Sequence, residues 1–223
     1  MIQILWATIR PNAFIEMHQK WINRSENPEN IKTLVAVNTQ EEADFLSNYN
    51  VVVVNPKNIG VCEPAYKLSS SIEPNDDDIV IFASDDFYPP EKWDTYLVEK
   101  LKGKKGTLFV RDGYQLPDSS NMLHPAITIP IMTGSCLKRM NNVIYHPVYN
   151  HMFSDCELYL NLKDLNLLID DRMTDETTFQ HLHYAGGKRQ QDQFDKIYMS
   201  KWGSDQKKWN ERKLMDVEKR LEI

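Results

Sequence analysis

The run Ile79-Val80-Ile81-Phe82-Ala83 passes straight into Ser84-Asp85-Asp86. A segment this short and this apolar, rich in β-branched and aromatic residues and bounded by charge, reads as a strand buried on both faces of a parallel sheet. In open α/β sheets, ligands bind beyond the carboxyl ends of the strands, which is where Asp85 and Asp86 fall. Two carboxylates on rigid backbone can cradle a hard divalent cation, which in turn grips phosphates. Carboxylates after a strand also commonly do no more than start a turn.

The residues before this strand repeat one pattern. A strand over 2–8 leads through Arg10-Pro11-Asn12 into a helix over 13–24, where Phe14, Met17, His18 and Trp21 recur at helical spacing. His18 on that stripe reads as a core histidine. After a polar loop at 25–30 come a strand over 34–37, a short helix over 40–48 and a strand over 51–54. Past Asn58-Ile59-Gly60 a helix runs over 63–72, with Pro64 suited to its first turn and Lys67 off its apolar face. Pro89-Pro90 opens another helix, carrying Trp93, Leu97 and Leu101. Strands alternating with helices through short loops predict an α/β fold with a mostly parallel, doubly wound, Rossmann-like sheet.

The second half is less regular. Strands are expected at 107–111, 127–132, 167–170 and 178–184, a polar loop at 112–125, a helix from Ser154 to about 166, and a charged amphipathic helix over 204–221. The 223 residues fit one domain: a nucleotide-binding half over about 1–105, a smaller mixed acceptor-side half over about 106–203, and the C-terminal helix over 204–223.

Composition narrows the class. Hydrophobic residues make up 41% of the chain, enough for a substantial core, and the net charge of −6 argues against a protein built chiefly to coat nucleic acid. There is no run of about 18 apolar residues to cross a membrane. Met1-Ile2-Gln3-Ile4-Leu5-Trp6 lacks a charged start and a cleavage site, and reads as a core strand rather than a signal peptide. Cys62, Cys136 and Cys156 are odd in number and share no metal-ligand spacing, so a reducing cytoplasm is the expected location.

Three further stretches carry potential chemistry. Ser154-Asp155-Cys156-Glu157 has capping-box spacing, which assigns Glu157 to the cap. Asp155 then opens the helix, where the macrodipole favours its charged form, and an ionised carboxylate with a free side chain can act as a general base. In Phe179-Gln180-His181-Leu182-His183-Tyr184, strand geometry puts His181 and His183 on one face, as metal ligands or as an exposed edge pair. Gly186-Gly187-Lys188-Arg189 combines hinge glycines with cations that can close over phosphates, or can simply be solvated.

In their order along the chain, these motifs resemble those of small inverting glycosyltransferases of the GT-A fold, the nucleotide-sugar-dependent class typified by family-two enzymes. The likeness lies in Ala7-Thr8-Ile9-Arg10-Pro11 after the first strand, Asn58-Ile59-Gly60 through Lys67, Ser84-Asp85-Asp86 as the acidic motif, Asp155 at an acidic helix start, and the late histidines before a basic glycine loop. It covers most of residues 1–200. The resemblance implies a nucleotide diphosphate sugar as donor, with Asp86 binding Mn²⁺ or Mg²⁺. His183 or His181 would supply a further metal ligand, with His183 favoured for its closeness to the basic loop. Ser84 and Asp85 would lie on the donor ribose or sugar, Thr8, Arg10, Asn38 and Lys67 around the nucleoside, and Lys188 and Arg189 on the diphosphate. Asp155 would be the catalytic base. The acceptor stays open between a glycan, a small molecule, a protein and a modified base in DNA.

The chain also departs from that pattern. Ser84 stands where the motif often has aspartate, no glutamate precedes Asp155, and Gln190-Gln191-Asp192-Gln193-Phe194 does not supply the signature of processive synthases. Rival readings are a sugar-nucleotide pyrophosphorylase, which needs a glycine-rich loop that residues 7–13 lack, a metal-dependent phosphoesterase, and a non-catalytic nucleotide-sugar-binding protein.

Overall fold

The computed structural model describes residues 1–53, 60–113, 125–173, 179–184 and 187–223, and of Phe194 the backbone alone. The expectations for residues 54–59, most of the polar loop after 112, Thr178 and Ala185-Gly186 lie outside the described residues.

The strand–helix repeat is present in the first half. β1 (Ile2–Ala7), β2 (Ile31–Val37), β3 (Asn50–Val53) and β4 (Ile79–Ala83) are parallel and are connected through α1 (Pro11–Asn23), α2 (Gln40–Phe45) and α3 (Cys62–Ser70). Pro11 occupies the first turn of α1, where its missing N–H costs nothing. Phe14, Met17 and Trp21 are buried along one face of that helix, with Phe14 edge-on to Trp6 at 5.2 Å. His18, half-buried, shares a hydrogen bond with Thr33 at 3.0 Å.

Every residue of β4 is buried. Ile79, Ile81 and Ala83 pack with the aromatic residues of α1 and with Trp93 and Leu97 of α4 (Trp93–Leu101). Val80 and Phe82 face the opposite way, into a cluster shared with α3, α5 (Gly134–Arg139) and α6 (Ser154–Asp164). The two-sided burial expected of an uninterrupted apolar strand is therefore met, with helices on both faces of the sheet.

Beyond β4 the sheet becomes mixed. With β6 (Thr107–Phe109), β7 (Ile131–Thr133) and β8 (Leu168–Asp170), its order is β3-β2-β1-β4-β7-β6-β8. β7 runs antiparallel to both neighbours, while β8 is parallel to β6. A second, two-stranded sheet pairs β5 (Phe87–Tyr88) with β9 (Gln180–His181). The strand expected over 127–132 starts only at Ile131, after Pro130, whose ring removes a ladder donor. The fold is thus α/β, with a mostly parallel central sheet and a smaller mixed half. No helix among the described residues is long and apolar enough to cross a membrane.

Two expectations fail in the C-terminal region. The single solvated helix expected over 204–221 is instead two, α8 (Trp202–Arg212) and α9 (Val217–Arg220), preceded by α7 (Gln193–Ser200). Some of the charges in α8 and α9 turn inward, while others stay exposed. Asp205 and Arg220 are buried; Arg220 bonds Asn161 at 2.6 Å and pairs with Asp164, and Arg212 makes a fork with Glu157 at 2.8 and 2.9 Å. That fork also removes Glu157 from its expected capping role. Phe153, at φ 66°, precedes α6, and Ser154 is already helical, its hydroxyl donating to the His151 carbonyl at 3.0 Å. Glu157, buried, accepts from the Tyr149 hydroxyl as well as from Arg212. A capping box does exist in the chain, formed by Thr39 and Glu42 at the start of α2.

Candidate active site

Parallel register brings the carboxyl ends of three strands level, since Ala7 lies opposite Ala36 and Trp6 opposite Ala83. Thr8, Asn38 and Ser84-Asp85-Asp86 follow directly and line one wall of a cavity of about 550 Å³. The opposite wall comes from α6, α7, α8 and the segment before α6, and includes His151, Asp155, Tyr198 and Trp202. Gly60 closes one side, where its backbone passes so near Asn150 that an added Cβ would lie 1.8 Å from the Asn150 carbonyl oxygen.

Asp85 is held by its neighbours in the sheet. The Trp6 indole donates to one oxygen at 2.8 Å and the Thr8 hydroxyl to the other at 3.0 Å. Burial nonetheless pushes its pKa up to about 6, against those bonds and the nearby charge of Arg10. Asp86 behaves oppositely. Burial works to raise it, but contact with His181 and a 2.5 Å bond from Ser84 outweigh that, so the carboxyl sits well below the usual range. The Nε2 of His181 lies 3.4 Å from Asp86, its Nδ1 lies 3.9 Å from Asp112, and its ring stacks on Phe87 at 4.2 Å. Burial opposes the imidazolium, yet the two carboxylates raise its pKa to about 9.

The β5–β9 pairing explains this contact: Phe87 and His181 are cross-strand partners, and the Leu182 N–H bonds the Asp86 carbonyl at 2.7 Å. His183 also lines the cavity, 5.0 Å from the His181 ring, with its pKa lowered by burial and then by the charge of His181. The structure thus seats His181, rather than His183, against Asp86. Among the described residues, no group of three or more His, Cys, Asp or Glu side chains is arranged as a closed metal cage. The 3.4 Å contact between Asp86 and His181 is an ion pair, so His181 would have to give up its proton to an incoming cation before its nitrogen could join the Asp86 oxygen as a ligand, the other positions being left for phosphate and water.

Asp155 stands near the start of α6 and lines the cavity, one oxygen accepting the Cys156 N–H at 2.9 Å. No lysine or arginine forms an ion pair with it among the described residues. Burial raises its pKa, which makes the ionised form a stronger base.

The remaining candidates divide. Arg10 and Arg189 line the cavity, and each is held by a carboxylate at or beside the start of α7: Arg10 by Asp192 at 2.6 Å, Arg189 by Asp195 at 2.6 and 2.7 Å. Asn38 lines it too. Lys67 does not; it turns back along α3 to pair with Glu63 at 2.9 Å. Lys188 is exposed and does not line the cavity.

Sequence reasoning missed the α7–α8 wall and His151. The signal for α8 is present in the chain, because Trp202, Gln206, Trp209 and Asn210 fall at i, i+4, i+7 and i+8, and all four line the cavity. The interleaved charges conceal it. His151 stacks on Tyr198 at 4.1 Å and 7°, and its buried Nδ1 has no hydrogen-bond partner among the described residues.

Burial pushes the His151 pKa down to about 4, against the pull of Asp86, Asp205 and Asp195. The ordinary value in an unfolded chain is about 6.5. Between those values the unfolded chain binds more protons, so this histidine's contribution to stability is present above pH ~6.5 and lost as pH falls toward ~4. Asp85, with its raised pKa, acts in the opposite sense over pH ~4–6, so the comparison must be between variants. Relative to His151→Phe, which keeps the stack but cannot titrate, the native protein is expected to lose up to about 1.4 kcal/mol per pH unit across the window. Chemical denaturation at a series of pH values reads this out; parallel pH curves for the two proteins would contradict a buried neutral imidazole.

No known protein family matches the chain, and no curated protein matches it in sequence. Solved structures match in fold. TarS of S. aureus, residues 1–349 with UDP-GlcNAc, superimposes with a TM-score of 0.61 at 14% identity over 86% of this chain and 60% of that one. A longer TarS structure gives 0.61 at 12% identity, over 80% and 36%. The mannosyltransferase PcManGT from Pyrobaculum calidifontis, with GDP-Man and Mn²⁺, gives 0.50 at 12% identity, over 89% and 68%. The chain therefore spans between about a third and three fifths of these TarS chains. The fold is of the GT-A type found in nucleotide-sugar glycosyltransferases.

Proposed function

We propose that this protein transfers a sugar from a nucleotide diphosphate sugar to an acceptor hydroxyl, with inversion at the anomeric carbon. The observation that carries this reading is that Asp85-Asp86, at level strand ends, and Asp155, which stands near the start of α6 and forms no ion pair among the described residues, line one cavity. Thr8 and Asn38 lie where the nucleoside would enter, and Arg10 and Arg189 on the diphosphate side would trade their carboxylate partners for phosphate oxygens. Asp86 and His181 would hold a divalent ion such as Mn²⁺ or Mg²⁺, which as a Lewis acid neutralises a leaving diphosphate. Asp155 accepts the acceptor's hydroxyl proton as that oxygen bonds to the anomeric carbon. The bond from that carbon to the diphosphate breaks, and its electron pair leaves with the nucleoside diphosphate. One displacement inverts the centre, so one base suffices.

A thermal-shift screen of UDP-GlcNAc, UDP-glucose and GDP-mannose, with and without Mn²⁺, tests the reading. The true donor at a hundredfold its Kd is expected to add about 2.7 kcal/mol, or a melting shift of roughly 5–10 °C for a chain of this size. A response from no nucleotide sugar and no nucleoside diphosphate would defeat the proposal. Binding without donor hydrolysis or transfer would instead favour a non-catalytic nucleotide-sugar-binding protein.

A further inference from the structure

The acceptor half of the cavity has a chemistry unlike the donor half. α8 turns Trp202, Gln206, Trp209 and Asn210 toward it, two indoles and two amides on one helical face. Phe153 packs edge-on against Trp202 at 4.9 Å and 66°, fixing a ring that stays partly exposed. The stacked His151 lines the same cavity, its buried Nδ1 without a hydrogen-bond partner among the described residues.

Among the described residues no lysine lines the cavity, and neither of its two arginines comes from α8. The arginines in the cavity, Arg10 and Arg189, are each held by a carboxylate, Asp192 and Asp195; they act on Asp85 and Asp86, and Arg10 also on Tyr198. The cations of α8 itself are spent elsewhere: Lys208 bonds the Val148 carbonyl at 2.5 Å and pairs with Asp205, and Arg212 is forked to Glu157. Lys207 is exposed and off the cavity.

We infer that the acceptor group is a neutral sugar ring stacked on Trp202, with Gln206, Asn210 and His151 reading its hydroxyls. This rests on the glycosyl-transfer reading of the same cavity and adds the class of acceptor. A pyranose has a face of C–H groups that suits the negative π-face of an indole, and a rim of hydroxyls that suits amides and imidazole. A polyanionic acceptor, including a base within DNA, would bring phosphates that need lysine or arginine along its path. Among the described residues α8 presents none to the cavity, Lys213 lying instead over the Trp209 ring at 6.0 Å, and the chain carries a net charge of −6.

The test is ligand-observed saturation-transfer NMR on the whole chain, using neutral methyl glycosides of glucose, galactose, mannose and N-acetylglucosamine. Glucose 6-phosphate and a thymidine decanucleotide serve as the anionic arms. At least one neutral glycoside is expected to show transfer to its C–H face, and Trp202→Ala to weaken it tenfold or more. The Kd of UDP-GlcNAc or GDP-mannose, measured by calorimetry on the same variant, is expected to stay within about twofold. If Trp202→Ala does not fold, Gln206→Ala at an exposed position of α8 is expected to weaken the glycoside at least threefold. Binding of the phosphate or the oligonucleotide alone, or glycoside binding untouched by the variant that folds, would overturn the inference. Failure of every nucleotide sugar to bind the native protein would instead overturn the transferase reading, and calorimetry reads that separately.

Discussion

Asp155→Asn is expected to lower the transfer rate by about 10²–10⁴ while donor affinity stays unchanged, because the amide keeps the shape but cannot accept a proton. The stability of the variant is the discriminating companion measurement. A carboxylate that served only the helix dipole would lose a few tenths of a kcal/mol to about 1 kcal/mol on neutralisation. Here burial raises the Asp155 pKa and no cation is paired with it among the described residues, so folding pays for its charge. Removing that charge, while the amide oxygen still accepts the Cys156 N–H, is expected to leave the melting temperature unchanged or higher. Stopped turnover with undiminished stability marks a residue kept for chemistry. Full turnover in the variant would remove Asp155 from the mechanism. Glu157→Gln is no innocent control, since it strips a buried partner from Arg212.

Asp86→Asn is expected to cost about two orders of magnitude in metal-dependent donor affinity, ~2.7 kcal/mol, and to abolish the difference between titrations with and without Mn²⁺. The fold is expected to survive. Asp86 follows the last buried residue of β4, its side chain is only about 21% exposed but reaches the cavity, and His181 retains Asp112 as a counter-charge. His181→Asn and His183→Asn, measured in the same titration, separate the two histidines. The contact between His181 and Asp86 leads us to expect the larger loss at His181. Donor affinity and metal response equal to those of the native protein in Asp86→Asn would displace the ion from this motif.

How much of this is readable without coordinates differs from element to element. β4 and its terminal carboxylates are legible because an uninterrupted apolar run ending in charge has few other solutions. The stripe Phe14, Met17, Trp21 is legible because helical period is a property of neighbouring residues. The rule that ligands collect at the carboxyl ends of parallel strands then places Thr8, Asn38, Asp85 and Asp86 together, although far apart in sequence.

Glu157 shows where local reading misleads. A hydroxyl residue with glutamate three positions on satisfies the capping pattern at Ser154 as well as at Thr39, and only the Thr39 site forms the box. The difference is Arg212, 55 positions away, whose guanidinium offers a buried carboxylate more than one backbone N–H can. The histidines are similar. Alternation puts His181 and His183 on one face of a long strand, but β9 ends at His181, and a cross-strand partner, Phe87, sets which ring meets Asp86.

Short-range chemistry suffices for the alternation of strands and helices, the buried central strand and the acidic edge, because these follow from backbone geometry and the spacing of apolar side chains over a few residues. Packing over the whole chain sets which carboxylates meet a cation in an ion pair and which do not among the described residues, and that α8 turns its indoles rather than its charges toward the cavity. Those outcomes depend on desolvation and on the charges that packing brings within a few ångströms, quantities that no short stretch of chain contains.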